Sequence, residues 1–238
     1  MTKQKQIASG AEAIIYLQES SNNISPKKSN NKTSPPNNLG QEEGEQRTGG
    51  RGEILVIKHR ISKSYRHPTL DKQIIKRRTK AETKILKMAA KIIPTPIPQD
   101  QKENDKIIMP FIDGDKLSQT LDSYDKPLQK KIMFQIGKST AKLHKAGIIH
   151  GDLTTSNMIF KDTEIFLIDF GLGFLNGKYE DKGVDIHLLK QALEAKHFRR
   201  WKILFNQFEK GYKSIEPLEA EKVLDKLISI EKRGRYKH

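Results

Sequence analysis

The amino-terminal part of the chain has the apolar pattern of β-strands. Residues Ile7 to Leu17 predict two short strands on either side of Ser9-Gly10-Ala11-Glu12-Ala13, and the apolar run Ile54 to Lys58 predicts a third. Residues 20–52, which separate the last two, contain only two strongly apolar side chains. Because so few apolar groups cannot offset the entropy lost on ordering, we expect a disordered insertion over about 20–52.

From residue 70 onward, helical periodicity dominates. Apolar residues three to four positions apart predict one helix over about Leu70 to Ala90 and a second over about Leu128 to Lys145. Everything after Val184 has a helical pattern, and Pro217 opens the last helix. Shorter apolar runs predict strands at Ile107–Met109, Ile148–Ile149, Met158–Phe160 and Ile165–Ile168.

Strands that come first and helices that come later predict an α+β fold with two lobes. Residues 1–112 would form an N-lobe, made of a β-sheet and one long helix and interrupted by the insertion. Residues 113–238 would form a mainly helical C-lobe that carries a short hairpin.

Composition and charge narrow the chemistry. The 238 residues include no cysteine, which excludes disulfides, Cys-ligated metals and a cysteine nucleophile. The sequence has no apolar run long enough for a membrane span and no secretory signal, so we expect an intracellular protein without a membrane partner, in the cytoplasm and the nucleus. The net charge of +15 favours a polyanionic partner, although the basic clusters at 72–80 and 196–202 are equally well explained as solvated faces.

The strongest chemical signal is a loop and a turn on either side of the short hairpin. The loop is His150-Gly-Asp-Leu-Thr-Thr-Ser-Asn157 and the turn is Ile168-Asp-Phe-Gly171. Phosphoryl transfer needs positioning and neutralisation of charge more than covalent help. Asp152 can accept or orient the proton of an attacking hydroxyl or water, whereas Asn157 and Asp169 offer the hard oxygen ligands that Mg²⁺ prefers. Single residues of these types usually only form turns, but the whole set in this order favours a phosphotransfer site.

This pattern resembles the catalytic loop and D-F-G motif of protein kinases. In detail it resembles the PRPK family, the atypical small Ser/Thr kinase subunit of the KEOPS (EKC) complex. The resemblance covers nearly the whole chain outside the insertion and implies a protein-kinase-like two-lobed fold with a reduced C-lobe. The other similar segments are Ser9–Ala13, Lys58–Arg60, Tyr65–Asp71, Arg78–Glu82, Pro94–Pro96, Met109–Gly114, Glu180–Asp185 and Arg233–Arg235.

The resemblance implies that ATP and Mg²⁺ bind between the lobes. Lys58 and Asp152 would be catalytic, and Asn157 and Asp169 would bind the metal. The residues expected to bind ATP are Lys58 with its partner Glu82, the phosphate loop Ser9, Gly10, Ala11, Glu12 and Ala13, and the hinge residues Met109, Pro110 and Ile112.

Two of these positions are unusual for a nucleotide site. Pro110 has no N–H, but its carbonyl can still accept from adenine while the N–H of Ile112 donates. Glu12 places a negative charge beside a triphosphate, so it must turn away or be paired.

The segment after the D-F-G motif is short. Gly151 stands where many kinases have an arginine, and no Ala-Pro-Glu segment follows. We therefore expect neither switching by activation-loop phosphorylation nor a standard peptide groove. Asp185 would either hold the catalytic loop through its backbone N–H groups or cap a helix.

The resemblance also implies a function and partners. ATP γ-phosphate transfer or hydrolysis would support threonylcarbamoyladenosine modification of tRNA, together with the KEOPS threonylcarbamoyl-transferase subunit and small accessory subunits. A basic tail with Arg233, Arg235 and Lys237 would contact a partner subunit and tRNA. Three alternatives remain open: a RIO-like or small-molecule kinase, a non-catalytic scaffold or tRNA-binding subunit of kinase shape, and a free-standing protein kinase. The sequence does not decide between kinase and ATPase.

Overall fold

A computed structural model describes residues 4–10, 12–19, 53–101 and 103–235. The predicted insertion over 20–52 lies outside these residues, as do Ala11 of the phosphate loop and Lys237 of the tail. Within the residues that are described, no helix is both long and apolar enough to cross a membrane.

The N-lobe is a four-stranded antiparallel sheet with one long helix. The strands follow the chain in the order β1-β2-β3-β4. Period-2 alternation in β3 turns Leu55 and Ile57 to one face of the sheet and Lys58 and Arg60 to the other. The elements are β1 (Gln4–Ser9), β2 (Ala13–Glu19), β3 (Ile54–Arg60), α1 (Pro68–Ala89) and β4 (Lys106–Pro110).

Helix α1 has the predicted extent but not the predicted buried face at its start. Leu70 was expected on the apolar stripe, yet it is 52% exposed. Asp71 is buried in its place because its carboxylate accepts hydrogen bonds from Ser62 Oγ at 2.6 Å and from the N–H of Lys63 at 3.2 Å. A local hydrogen-bond network therefore overrides the apolar pattern in the first turn.

The C-lobe is built around helices, as predicted. Helices α3 and α5 cross closely at Gly137 and Gly211, where a methyl group on either residue would collide with the backbone of the other helix. The helical pattern expected after Val184 begins five residues earlier and breaks between residues 196 and 201. The helices are α2 (Leu117–Thr120), α3 (Lys126–Lys145), α4 (Tyr179–Lys196), α5 (Trp201–Lys213) and α6 (Pro217–Arg235).

Short strands set the two catalytic segments side by side. Met158 pairs with Leu167 in the β7–β8 hairpin, so the loop before β7 and the turn after β8 leave the same end of it. The N–H of Ile168 donates to the Asn157 carbonyl at 2.9 Å and fixes that neighbourhood. The strands are β5 (Asp115–Lys116), β6 (Ile148–Ile149), β7 (Met158–Lys161), β8 (Glu164–Leu167) and β9 (Phe174–Leu175).

The architecture is thus the α+β arrangement expected from the sequence, with a β-sheet N-lobe and a helical C-lobe. The domain boundary at residue 112 lies just after β4 and stays a prediction.

Candidate active site

A cleft of about 280 Å³ separates the N-lobe sheet from the β7–β8 hairpin. Apolar side chains of both lobes form most of its wall, which suits a flat apolar ring. The predicted residues that line it are Lys58, Met109, Pro110, Ile112, Asn157 and Asp169.

Lys58 joins the two lobes at the back of the cleft. Its Nζ atom lies 2.7 Å from Glu82 Oε1 and 2.7 Å from Asp169 Oδ1. Lys58 is only 7% exposed and Glu82 only 1%. A buried ammonium group between two carboxylates has a fixed position, which is what a phosphate contact requires.

A second cation, Arg60, shares the same glutamate. Its Nη2 atom lies 2.5 Å from Glu82 Oε2, so each carboxylate oxygen has its own cation. Arg60 also lies 3.5 Å from Glu12, which accepts a further hydrogen bond from Arg78 of α1. Arg60 of β3 therefore links this strand to α1 through Glu82 and to the turn between β1 and β2 through Glu12.

These contacts explain the unexpected acid in the predicted phosphate loop. The hydrogen bond from Arg78, with the charges of Arg78 and Arg60, lowers the pKa of Glu12 despite its partial burial. Glu12 is thus ionised but compensated by two guanidinium groups. Its charge is directed toward α1 and away from a nucleotide in the cleft.

Asp169 has the backbone conformation of a sharp turn, with φ of +62°. Its Oδ1 atom accepts from the N–H of Gly171 at 3.1 Å in addition to Lys58. Burial opposes its charge, but the Lys58 ammonium and these hydrogen bonds prevail and lower the pKa of Asp169. The carboxylate is therefore ionised at neutral pH, and 47% of the side chain is exposed to solvent.

Asp152 and Asn157 lie in the loop before β7, whereas Asp169 follows β8, and hydrogen bonds link the two residues. Asn157 Nδ2 donates to Asp152 Oδ2 at 2.8 Å and to the Asp152 carbonyl at 2.9 Å. Because the amide nitrogen is used twice in this way, the amide oxygen is the atom left for a cation.

The donor set fits one hard divalent ion that also binds phosphate oxygens. Asn157 Oδ1 and Asp169 Oδ2 have no hydrogen-bond partner among the residues described. Residues 4–10, 12–19, 53–101 and 103–235 contain no group of three or more His, Asp or Glu side chains that could hold a metal by themselves. Two protein oxygens with vacant coordination positions are typical of Mg²⁺ bound together with a nucleotide.

Asp185 holds the catalytic loop from below. Its carboxylate accepts from the N–H groups of His150 at 2.7 Å and Gly151 at 2.8 Å, and His144 Nε2 lies 3.2 Å away. Burial opposes its charge, but the hydrogen bond from His144 and the nearby N–H groups prevail and lower the pKa of Asp185. The residue lies in the second turn of α4, so the first of its two predicted roles matches the contacts and that of a helix cap does not.

Gly151 is required by the space around it. It has φ of +79°, and a Cβ atom there would collide with the carbonyl oxygen of Leu172. The arginine that many kinases carry at this position cannot fit this backbone.

The described residues predicted for the phosphate loop and the tail do not line the cleft. The N–H of Gly10 donates to the Ala13 carbonyl at 2.9 Å and closes a tight turn, but neither these two residues nor Ser9 lines the cleft. Arg233 belongs to α6 and pairs with Glu180 of α4 at 2.5 Å, so the helix includes a residue that was expected in the free tail. Arg235 is the last residue of α6.

Two site residues escaped the sequence analysis, although the sequence holds a signal for each. Arg60 follows Lys58 by two positions in a strand and must face the same way. His144 occupies the position four residues after Thr140, on the buried stripe of α3, where a polar side chain needs a partner. Tyr212 Oη and Asp185 provide its partners at 2.8 and 3.2 Å.

Comparison with known proteins places this site in a family. A family model for the RIO domain matches residues 55–172. The KEOPS complex subunit Bud32 of Pyrococcus abyssi is 38% identical over 187 residues, which are 77% of this chain and 84% of that protein. The probable serine/threonine-protein kinase BUD32 homolog of Archaeoglobus fulgidus is 39% identical over 194 residues, 79% of this chain and 94% of that protein. The chain belongs to the Bud32 (PRPK) family. The resemblance to this family and the kinase-like fold it implied are thereby confirmed.

Other Bud32-like relatives are parts of longer proteins. A probable bifunctional tRNA threonylcarbamoyladenosine biosynthesis protein of Methanosarcina mazei is 35% identical over 228 residues, 95% of this chain but only 35% of that protein. The chain therefore spans about a third of these bifunctional relatives.

Proposed function

We propose that the protein transfers or hydrolyses the γ-phosphate of ATP and thereby supports threonylcarbamoyladenosine modification of tRNA. One observation carries the proposal. The buried Lys58–Glu82 pair meets Asp169 at the cleft, and the hairpin brings Asp169 beside the Asp152–Asn157 pair. This is the set of charges that phosphoryl transfer needs.

Each group has a role that follows from its surroundings. The carbonyl of Pro110 and the N–H of Ile112 would bind adenine, and Lys58 would hold the phosphates while Glu82 fixes its position. Mg²⁺, held by Asn157 and Asp169, would neutralise charge on the phosphate oxygens. Asp152, oriented by Asn157, would accept or align the proton of the attacking hydroxyl or water.

The short segment after the D-F-G motif bears on the acceptor. Phe174 and Leu175 form β9, which pairs with β6, and α4 begins at Tyr179. This leaves few residues to form a peptide-docking surface. The arrangement favours water or one specific Ser/Thr hydroxyl as acceptor over a broad range of peptides.

We further propose that the protein works inside a KEOPS-type assembly. The relatives that support this are named as a KEOPS subunit and as bifunctional tRNA threonylcarbamoyladenosine biosynthesis proteins. The partners would be the threonylcarbamoyl-transferase subunit, small accessory subunits and tRNA, and the net charge of +15 suits the last of these. Cytoplasm and nucleus are the compartments where such an assembly would meet tRNA.

The decisive experiment measures ATP turnover by the purified protein, alone and with the transferase subunit and tRNA. Asp152→Asn should lower turnover by about 100-fold or more, since a proton acceptor contributes about 10²–10⁴-fold. Asp169→Asn should also lower turnover strongly, because it removes a charged ligand of the metal. Asp225→Asn, on the exposed face of α6, removes the same charge and should have no effect.

The alternatives make different predictions in the same assay. If the two variants lose ATP turnover but the assembly still modifies tRNA fully, the protein is a scaffold. If the protein phosphorylates small metabolites, or many peptides in an unbiased screen, the small-molecule kinase or the free-standing kinase gains support instead.

A further inference from the structure

A groove on the outer side of α1 plays no part in the proposed reaction. It lies between α1 and the segment leading into β4, and its volume is about 420 Å³. That volume is within the range of small-molecule sites. Four lysines of α1 line one side, namely Lys76, Lys80, Lys84 and Lys87, together with Lys91 just after the helix. Residues 99–101, 103 and 104 line the other side.

The groove carries positive charge that is largely uncompensated. The four lysines of α1 are spaced by three or four residues, so they share one face of the helix. Lys87 pairs with Asp100, and the other acid of the lining, Glu103, pairs with Lys106 at 2.9 Å. Of the remaining four lysines, none forms an ion pair with any residue in the described part of the chain. Four such ammonium groups favour an anionic ligand.

Two buried polar atoms in the same lining lack partners. Thr79 is 4% exposed, and its Oγ1 atom forms no hydrogen bond within the described structure. Gln101 donates through Nε2 to the Lys106 carbonyl, which leaves its buried Oε1 atom equally unsatisfied. Unsatisfied buried groups are rare because they destabilise the fold, and two of them at one groove point to a ligand that completes them.

We propose that this groove binds a small phosphorylated polyol that carries several phosphates and at least one free hydroxyl. The lysines would bind the phosphates, and the Thr79 hydroxyl would donate to one of their oxygens. Gln101 Oε1 can only accept, so it needs a ligand hydroxyl. An RNA backbone also combines phosphates with a donor, the ribose 2′-hydroxyl, but a groove of about 420 Å³ has the size of a small-molecule site.

Binding here would bear on the helix that positions the active site. Thr79 precedes Glu82 by three residues on α1, so the two side chains lie one turn apart. A ligand bound at Thr79 would therefore contact the turn of α1 that also carries the carboxylate holding Lys58.

The test measures the affinity of the full-length protein for inositol 1,3,4,5-tetrakisphosphate by isothermal titration calorimetry. Lys80→Gln/Lys84→Gln should weaken binding by about tenfold or more. Lys130→Gln/Lys131→Gln, on the exposed face of α3, removes the same charge and should change affinity less than twofold. Equal weakening by both pairs would overturn the proposal in favour of general charge attraction.

Thr79→Val tests the buried hydroxyl at nearly constant shape. It should lower the affinity about fivefold without lowering the melting temperature of the free protein, because it removes an unsatisfied group. Tripolyphosphate, which has no polyol hydroxyl, should bind more weakly because it has no donor for Gln101 Oε1. Equal affinity for both anions, or binding of tRNA through Lys80 and Lys84 without binding of the tetrakisphosphate, would overturn the proposal.

Discussion

Because Glu82 pairs with both Lys58 and Arg60, we expect substitutions of Glu82 and of Lys58 to have different effects on stability and catalysis. Glu82 holds Lys58 at 2.7 Å and Arg60 at 2.5 Å, and the three residues are 1%, 7% and 5% exposed. Glu82→Gln keeps the volume but leaves the buried Lys58 and Arg60 only their more exposed partners, Asp169 and Glu12. Removing one partner of a buried charge pair costs about 3–5 kcal/mol. For a chain of this size, that lowers the melting temperature by roughly 6–20 °C.

Lys58→Met should behave in the opposite way. Glu82 keeps Arg60 as its counter-ion, and Asp169 is exposed enough to be solvated by water. We expect a loss of only about 1 kcal/mol in the free energy of unfolding, together with the loss of ATP turnover.

Chemical denaturation and ATP turnover of the same preparations check both statements. The double variant Lys58→Met/Arg60→Met leaves Glu82 alone and should be destabilised by more than the sum of the single variants. If Lys58→Met were as unstable as Glu82→Gln, or if the double variant were additive, Arg60 would not be compensating Glu82 and the reasoning would be refuted.

Two further predictions concern the catalytic loop. Gly151→Ala adds a methyl group that collides with the Leu172 carbonyl, at a residue with φ of +79°. We expect ATP turnover to fall by about 100-fold, because displacement of Asp152 by about 1 Å is enough for such a loss. Unchanged kinetics would contradict the close approach of Gly151 to Leu172. The pKa of Asp185 lies below its ordinary value of 3.8, so the stability from its ionised form is present above pH 3.8 and is lost as the pH falls through the lowered pKa. Asp185→Asn should therefore be less stable than the parent at about pH 7, and the difference in unfolding free energy should shrink in acid; a constant difference across the titration would exclude this role.

Local patterns in the sequence predict most of the fold. The long helices and strands β2 to β4 follow from periodicity because each buries an apolar face that its own residues define. The two-residue strands β5 and β9 have no such pattern, since they exist only where a partner strand passes. Leu70 is exposed for a similar reason, because the bonds to Asp71 come from a preceding loop.

The residues of the candidate site likewise fall into those that local sequence predicts and those that only the folded chain brings together. Asp152, Asn157 and Asp169 can be identified from one contiguous pattern, since each lies near the others in sequence. The pairing of Glu12 with Arg78 joins residues 66 positions apart, and no local rule predicts it. Charge compensation over such separations is a property of the folded chain.

The contacts that Asp185 makes with the catalytic loop support the expectation that this site does not need activation-loop phosphorylation. In kinases that need it, an arginine of this loop is fixed by a phosphate that is added later. Here the Leu172 carbonyl fills that space, and Asp185 supplies a permanent carboxylate to the N–H groups of His150 and Gly151. His144 lies between Asp185 at 3.2 Å and Tyr212 Oη at 2.8 Å, so the contacts that hold Asp185 all come from the folded C-lobe.

Because these contacts hold the catalytic loop without a phosphate, we expect control of the proposed ATP turnover to act on the other half of the site. That half depends on α1, because Glu82 must face the cleft to hold Lys58. The same helix carries Arg78, which binds Glu12, and the lysines of the outer groove. A contact that shifts or orders α1 changes the position of Lys58 without touching the catalytic loop. Partners or ligands bound to the N-lobe are therefore the regulators that this arrangement favours.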